Sequence, residues 1–302
     1  MKKILILVDK IGEKKELFSH LISQRLGDGV QLEMARFSDI YFEIRGENVT
    51  VEVNQVPITD YSLVYIRRSG DKYSVTAATL ALCLGKLGIK FMDSTWKEIG
   101  PLGSKYTSLV KLSLAGFPVF PSIYANQSTV GVYPAKIAGR LGLPLVAKEL
   151  SMQRGKGVYL IKKTEDFKSL PLIDKHGGAN HFLFQKYIDI EREYRLLVLG
   201  ERVRVWEEKI ISETEEFRHN VALGATEKFV PIAKLPAEME KIAVGGAKVL
   251  NLQIAGVDMA VEKKTGKIWL IEINRGPGFT YDTKISPEMD ELAGYLDREV
   301  RY

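Results

Sequence analysis

The chain contains 302 residues, of which 45% are hydrophobic and 27% charged, with 26 glycines, 11 prolines and one cysteine. This ordinary globular composition excludes a disordered chain, a collagen-like repeat and a disulfide-stabilised scaffold. Lys and Arg number 43 against 38 Asp and Glu, a modest excess that favours anionic partners such as nucleotides and acidic peptides. Nucleic acid is not required to account for it.

The lone cysteine and the first ten residues both bear on where the protein works. Cys83 lies in the apolar run 80–84, where a single cysteine is usually a small core residue, so the chain suits a reducing compartment. The apolar run 4–8 is followed at once by Asp9 and Lys10, which is too soon for a signal peptide. The longest apolar runs fall short of the roughly 20 residues that span a bilayer. We therefore expect a cytoplasmic protein without a membrane span.

The first hundred residues alternate between strand and helix patterns. Hydrophobic periodicity predicts strands over 3–8, 30–37, 62–68 and 89–93, and helices over 16–26 and 75–87. The segment 43–53 alternates around a turn at Gly46, Glu47 and Asn48, which predicts a β-hairpin. The pattern indicates a small parallel α/β domain over residues 1–100.

From about Pro101 the chain changes to strand pairs joined by short turns. A helix is predicted over 105–115, because Gly116 follows it and two prolines stand just beyond. A second helix is predicted over 237–250. Three hairpins are predicted, with strands over 143–150 and 157–163, 193–199 and 202–208, and 255–262 and 267–274. An α+β part built from hairpins therefore follows the α/β domain.

The third hairpin carries the most specific chemical signal. If its turn is centred on Thr265, Asp258 lies opposite Glu272, and Asn274 projects from the same face two residues later. Two carboxylates about 5 Å apart repel unless a cation is supplied, and these oxygens suit Mg²⁺ held jointly with phosphates. An exposed hairpin with ordinary surface acids is the alternative. The opposite face is expected to form the core, with Val257, Met259, Val261, Trp269, Ile271 and Ile273.

A glycine-rich loop and a strand lysine suggest phosphate binding. The loop 153–157 reads Gln-Arg-Gly-Lys-Gly, and its glycines would let backbone N–H groups approach an anion. It joins two strands and matches neither GxxxxGK[ST] nor GxGxxG, which argues against a P-loop or a Rossmann site. Lys148 ends the preceding strand, where its ammonium would reach phosphate oxygens. A flexible turn and a surface strand lysine are the alternatives.

Two pairs of polar residues complete the candidates. Arg218 and Asn220 stand in a polar stretch and could meet developing negative charge. Arg67 and Arg68 end a strand of the α/β domain, where such sheets present ligands, and could bind a substrate carboxylate. Surface arginines are the alternative for the latter pair. The sequence shows neither a nucleophile elbow nor a zinc spacing.

Taken in order, six segments resemble the ATP-grasp superfamily, and most closely its RimK-like branch of amino-acid ligases, from about Gly103 to Phe279. They are 104–122, 143–161, 182–189, 191–203, 218–220 and 255–279. The resemblance implies an α/β N-terminal domain followed by a two-subdomain ATP-grasp fold. The central subdomain would cover 101–184, with the glycine-rich loop, and the C-terminal subdomain 185–302, with the metal site.

Carried over position by position, the resemblance assigns roles to the motif residues. ATP would be bound by Lys105, Lys148, Gln153, Gly155, Gly157, Gln185, Lys186, Tyr187 and Glu193. Mg²⁺ or Mn²⁺ would be held by Asp258, Glu272 and Asn274, while Arg218 and Asn220 would be catalytic at the transferring phosphoryl group. Arg195 is a further candidate for substrate contact, together with Arg67 and Arg68, which are candidates because of their position at a strand end and not because of the resemblance.

The implied activity is ATP-dependent ligation of a carboxylate to an amine through an acyl phosphate, such as addition of glutamate to a peptide, a protein end or a small acid. Catalysis would rest on positioning and electrostatics, without a protein nucleophile. Two other functions are left open: a phosphotransferase on the same ATP site, and a nucleotide-binding module without turnover. A homo-oligomer is left open as well.

Overall fold

The computed structural model describes residues 1–45, 48–70, 73–97, 105–126, 130, 134–150, 152, 156–173, 180–210 and 226–301. Over these ranges the chain forms a parallel sheet with helices, followed by antiparallel sheets. This confirms the fold class expected from the sequence. None of the helices in the described ranges combines the length and hydrophobicity that a membrane span needs.

The N-terminal part is built around a four-stranded parallel sheet, in the order β2-β1-β6-β7, and a three-stranded antiparallel sheet, β3-β4-β5. Its elements are β1 (Lys2–Val8), α1 (Glu13–Ser23), β2 (Val30–Arg36), β3 (Ile40–Arg45), β4 (Asn48–Val53), β5 (Val56–Pro57), β6 (Leu63–Arg68), α2 (Ser74–Leu87) and β7 (Lys90–Met92). Arg45 pairs with Asn48, which confirms the first predicted hairpin, although Gly46 and Glu47 of its turn lie outside the described residues. Helix α1 begins earlier than predicted because the carbonyl of Gly12 accepts the amides of the next turn.

The central part is an antiparallel sheet in the order β10-β9-β11-β8. Its elements are α3 (Lys105–Leu114), β8 (Ser122–Asn126), α4 (Pro134–Leu141), β9 (Leu145–Glu149), β10 (Val158–Ile161) and β11 (His181–Lys186). Helix α3 stops before Gly116, whose φ is +79°, as the sequence predicts. The short helix α4 is not predicted; it buries Ile137 and Leu141 against this sheet.

The C-terminal part is a five-stranded antiparallel sheet in the order β14-β13-β12-β15-β16. Its elements are β12 (Ile190–Leu199), β13 (Arg202–Ile210), β14 (Thr226–Val230), α5 (Ala237–Val249), β15 (Ile254–Glu262), β16 (Ile268–Arg275) and α6 (Glu288–Arg301). One face packs on α5 and α3. The other face is apolar at one end, where Leu197, Leu199 and Ile254 share a core with β1, α1 and α6. The N-terminal sheet is therefore fixed to this sheet by a common hydrophobic core.

The third hairpin keeps the predicted register at Asp258 and loses it one residue later. Asp258 pairs with Glu272, as predicted, but a bulge makes Met259 pair with Leu270. The extra residue reverses the side-chain alternation beyond that point. The expected core positions Trp269 and Ile271 are therefore wrong: both are only half-buried, and Leu270, 1% exposed, fills the core instead.

Candidate active site

The polar end of one face of the C-terminal sheet gathers most of the candidate residues. Strand pairing places Arg195 of β12 between Glu207 of β13 and Asp258 of β15, and sets Glu193 opposite Lys209. Side chains on one face repeat every second residue. This polar face therefore continues the apolar face that packs on the N-terminal domain. Its members are Glu193, Arg195, Glu207, Lys209, Asp258, Glu272 and Asn274.

Asp258 is the centre of the polar face. Its carboxylate is 6% exposed and accepts Nε of Arg195 at 3.0 Å and Nζ of Lys209 at 3.1 Å on Oδ1. Oδ2 accepts Nη2 of Arg195 at 3.3 Å and Nδ2 of Asn274 at 3.0 Å. Burial alone would raise the pKa of Asp258, but Arg195 and Lys209 outweigh it and hold the pKa below its ordinary value. The carboxylate is therefore ionised and fixed in place.

Lys209 is a site residue that the sequence reading missed. It is 5% exposed and donates to Glu193 as well as to Asp258. Burial would lower the pKa of Lys209, but the two acids raise it instead. A signal was present, since Glu207 and Lys209 follow the buried Val205 at two-residue spacing and so share its face.

The donor set of Asp258, Glu272 and Asn274 fits Mg²⁺ in kind. Two carboxylates that face each other in register and one amide supply hard oxygen ligands, and Mg²⁺ is usually held by one or two carboxylates together with substrate phosphates. The described residues contain no group of three His, Cys, Asp or Glu side chains placed to hold a metal alone. A metal here would therefore depend on phosphate oxygens to complete its coordination.

Two lysines face the acids from the central part of the chain. Lys148 lies in β9 between Val158 of β10 and Leu183 of β11. Burial lowers the pKa of the Lys148 ammonium, Glu272 opposes this shift, and Lys105 at the start of α3 adds to it. Lys148 of β9 thus lies within electrostatic range both of Glu272 on β16 and of Lys105 on α3.

The base of the glycine-rich loop is closely packed where the structure describes it. Gly157 has φ +68°, and a Cβ there would come within 2.9 Å of Met152. Glu149, at the end of β9, accepts the hydroxyl of Tyr159 and, at 2.8 Å, Nδ2 of Asn180. The flank of the loop is therefore fixed. The expected ligands Gln153 and Gly155, and the expected catalytic residues Arg218 and Asn220, lie outside the described residues.

The residues expected to line an adenine pocket lie at the end of β11. Gln185 is buried and donates Nε2 to Oγ of Ser122 at 2.9 Å, whereas Tyr187 is 37% exposed. Lys186 is exposed and acts electrostatically on Glu262, at the tip of the third hairpin. The structure therefore puts this segment beside the hairpin tip, along β15 from Asp258.

Arg67 and Arg68 approach the opposite end of the site. Arg67 is 3% exposed, and its Nη2 donates to the carbonyl of Pro277 at 3.1 Å. Nε of Arg68 donates to the carbonyl of Gly276 at 3.2 Å. These contacts join the N-terminal domain to the loop that follows Asn274. Because the guanidinium of Arg67 is used in this contact, the geometry does not support direct contact of Arg67 with a substrate.

Comparison with solved structures identifies the class of fold. The ATP-grasp ligase PsnB, solved with a phosphomimetic variant of a minimal precursor, Mg and ADP, aligns over 99% of both chains with a TM-score of 0.72 at 14% identity. At that identity the likeness shows the fold alone, which is the ATP-grasp fold. The chain belongs to the RimK-like ATP-grasp family, whose domain model matches residues 123–291. The family that the sequence motifs indicate is thereby confirmed.

Two relatives are similar to part of the chain. A probable alpha-L-glutamate ligase of Alkalilimnicola ehrlichii is 35% identical over 140 residues, which are 45% of this chain and 44% of that protein. A protein of the same description from Legionella pneumophila is 34% identical over 176 residues, 58% of this chain and 55% of that protein. The chain thus spans about half the length of the relatives it matches.

Proposed function

We propose that the protein is an ATP-dependent carboxylate–amine ligase that forms an amide bond through an acyl phosphate. The observation that carries this proposal is that Lys148, on the central sheet, lies within electrostatic range of Asp258 and Glu272 on the C-terminal sheet and of Lys105 on α3, in a chain of the RimK-like ATP-grasp family. Lysines of β9 and α3 beside acids of the C-terminal sheet suit a nucleoside triphosphate with its metal better than a small uncharged ligand.

ATP would lie between the central and C-terminal sheets. Lys148 and Lys105, both half-buried, would contact phosphate oxygens, since an ammonium partly removed from water gains more from an anion at short range than an exposed one. The segment 185–187 and Glu193 would hold the nucleoside. Lys209 donates to Glu193 and so fixes that carboxylate for a ribose hydroxyl.

Asp258, Glu272 and Asn274 would hold Mg²⁺ together with the phosphates. When bound, Mg²⁺ neutralises charge on the transferring phosphoryl group and orients it. The protein's own contribution is a set of fixed donors: Arg195 and Lys209 keep the carboxylate of Asp258 ionised and oriented before any ligand arrives. Groups that are fixed in this way do not have to reorient during the reaction, as water molecules would.

The reaction has two steps. A substrate carboxylate oxygen attacks the γ-phosphorus of ATP, the bond to the β-phosphate oxygen breaks, and ADP leaves with that electron pair. An amine then attacks the acyl carbon, loses a proton, and displaces inorganic phosphate to leave an amide. No protein nucleophile takes part. Arg218 and Asn220 remain the candidates for stabilising the transferring group.

Glutamate is the amino-acid substrate that we propose. Two relatives are described as probable alpha-L-glutamate ligases, at 35% and 34% identity over 140 and 176 residues. The acceptor would be a peptide, a protein end or a small acid.

The test is to incubate the full chain with ATP, Mg²⁺ and L-glutamate in a mixture of amino acids and peptides, and to follow ADP, free phosphate and product mass. Phosphate release that depends on the acceptor, with an amide-mass product, supports ligation. A phosphorylated acceptor without free phosphate indicates a phosphotransferase, and nucleotide binding without turnover indicates a binding module. Either of these results overturns the proposal.

A further inference from the structure

The loop that leaves β16 is held by two consecutive arginines of the N-terminal domain. Arg67 donates Nη2 to the carbonyl of Pro277 at 3.1 Å, and Arg68 donates Nε to the carbonyl of Gly276 at 3.2 Å. The two acceptors are consecutive, as are the two donors. A hydrogen bond from a charged donor is about twice as strong as a neutral one, so two neighbouring carbonyls are fixed at once.

The guanidinium of Arg67 is also held by aromatic rings. It lies 4.4 Å from the ring centroid of Phe18 in α1 and 5.3 Å from that of Phe279 in the loop. The two rings are stacked on each other with centroids 5.7 Å apart. A desolvated cation over aromatic faces is strongly attracted. Arg67 therefore joins helix α1 to the loop as well as strand β6 to the loop.

The backbone of the loop itself lies against β6. Gly276 has φ +62°, and a Cβ at this position would come 2.2 Å from the carbonyl oxygen of Arg67. Only glycine permits that approach. One residue earlier, the guanidinium of Arg275 lies 3.9 Å from the ring centroid of Trp96, again in the N-terminal part. Arg275, Gly276 and Pro277 are therefore each held by the N-terminal part of the chain.

The segment so fixed borders the polar face directly. Asn274, which donates to Asp258, immediately precedes it. A small recess lies between the sheet and the loop, and its walls include Arg195, Glu207 and Gly256 of the sheet and Pro277 and Gly278 of the loop. A shift of the loop would move both the amide of Asn274 and one wall of this recess.

We propose that Arg67 and Arg68 are positioning residues: through them the N-terminal domain sets the place of loop 275–278, and with it Asn274 and the recess beside Asp258. The two arginines act through the loop rather than on the substrate. This inference deepens the proposed ligase function in its effect on turnover, but the placement of the loop can be measured without turnover.

The experiment compares Arg67→Met, Arg67→Lys and Arg68→Met with the unaltered full chain. Amide hydrogen exchange followed by mass spectrometry reports the order of the five amides between Asn274 and Phe279, since Pro277 has none, and calorimetry gives the Kd of ADP with Mg²⁺. We expect Arg67→Met to speed exchange of these amides about tenfold or more while the Kd of ADP stays within about twofold of the original. Arg67→Lys, which keeps a cation over the rings, should restore part of the protection.

Turnover is measured with ATP, Mg²⁺ and L-glutamate. Because a misplacement of about 1 Å can cost about 100-fold in rate, Arg67→Met should lower kcat/KM for glutamate by about that factor. The matched control is Arg25→Met, which removes an arginine that pairs with Asp290 between α1 and α6 without touching the loop.

Each result decides between placement and general destabilisation. Unchanged exchange in both Arg67→Met and Arg68→Met, or equal effects in Arg25→Met, would overturn the inference. If Arg67→Met does not fold, Arg68→Met and Arg67→Lys carry the same test. Absence of turnover in the unaltered chain would count against the ligase function only, since the exchange experiment does not depend on it.

Discussion

Nζ of Lys209 lies 3.1 Å from Oδ1 of Asp258 and also donates to Glu193, so a single buried ammonium serves acids from two neighbouring strands. All three residues are buried, with exposures of 5% for Lys209, 6% for Asp258 and 7% for Glu193. Removing one partner from such a buried set leaves charge without compensation, which commonly costs about 3 to 5 kcal/mol. Lys209 is therefore as important to the fold as to the site.

We expect Lys209→Met to lower the free energy of unfolding by about 3 kcal/mol, because Asp258 and Glu193 then lose the buried cation that they share. Urea unfolding followed by circular dichroism measures this. Lys228→Met, at an exposed position in the adjacent strand β14, should cost less than about 0.5 kcal/mol. Equal losses of stability in the two variants would mean that buried Lys209 contributes no more to the free energy of unfolding than an exposed lysine does.

Hydrophobic periodicity and turn residues were sufficient to predict the hairpins β9-β10, β12-β13 and β15-β16 and the helices α3 and α5, whereas α4 and α6 were not predicted. The pairing of Asp258 with Glu272 follows from the turn alone, because alternation fixes the register when one face is buried. The bulge beyond Asp258 could not be predicted, since it depends on how Leu270 packs against α3 and α5. The residues next to Leu270 in the sequence do not indicate that packing.

Contacts between residues far apart in the sequence could not be predicted either. The sequence places Arg67 at a strand end, but its contact with Pro277 joins residues separated by 210 positions and depends on the shared core between the two sheets. Lys209 belongs to no motif, and its role emerges only when β12, β13 and β15 lie side by side. The alternation of residues along a strand predicts which side chains share a face of the sheet. Only the pairing of strands in three dimensions decides which charged groups lie next to each other.

Glu272→Gln should abolish most turnover while the fold remains intact. Glutamine keeps the shape of the side chain and removes the charge that faces Asp258, so metal binding and charge stabilisation should both weaken. We expect phosphate release to fall by about 100-fold or more, measured at saturating ATP and Mg²⁺. Glu201→Gln, in the exposed turn between β12 and β13, is the control. Full activity in Glu272→Gln would contradict the metal assignment.

Lys148→Met should weaken nucleotide binding. Lys148 is half-buried, and burial lowers the pKa of its ammonium, so its attraction to a phosphate is screened less by water than at an exposed position. A hydrogen bond to a charged group contributes about 1.5 to 3 kcal/mol, which corresponds to roughly tenfold or more in the Kd of ATP. Calorimetric titration measures that Kd, with Lys162→Met, exposed in the same sheet region, as the control. The same Kd in both variants would remove Lys148 from the phosphate site.

Asp93 should make stability depend on pH. Burial raises its pKa from 3.8 to about 7, although its Oδ1 accepts the amides of Gln253 and Ile254 and Arg275 lies within electrostatic range. Between those two pKa values the folded protein keeps a proton that the unfolded chain has lost. The free energy of unfolding should therefore fall as the pH rises towards 7, by at most about 1.4 kcal/mol per pH unit, and level off above it.

The measurement for Asp93 is urea unfolding of Asp93→Asn and the unaltered chain at several pH values from 5.5 to 8.5. The asparagine keeps an acceptor for both amides and does not titrate, so its stability relative to the unaltered chain should increase with pH up to about 7. Asp28→Asn, at an exposed position, should follow the unaltered chain. Parallel curves for Asp93→Asn and the unaltered chain would show that Asp93 does not titrate in this range.

Gly276→Ala should be more harmful than alanine at a glycine of similar backbone conformation. Gly276 and Gly266 have φ of +62° and +70°, so both substitutions carry the strain of a left-handed residue, about 1 to 2 kcal/mol. The methyl group at Gly266 meets open space, whereas at Gly276 it would come 2.2 Å from the carbonyl oxygen of Arg67. Relieving that clash requires the loop to move away from β6, which should cost on the order of 2 kcal/mol more. Urea unfolding of the two variants measures this difference in free energy. Equal free energies of unfolding would mean that the loop can move away from Arg67 without loss of stability and is not fixed by it.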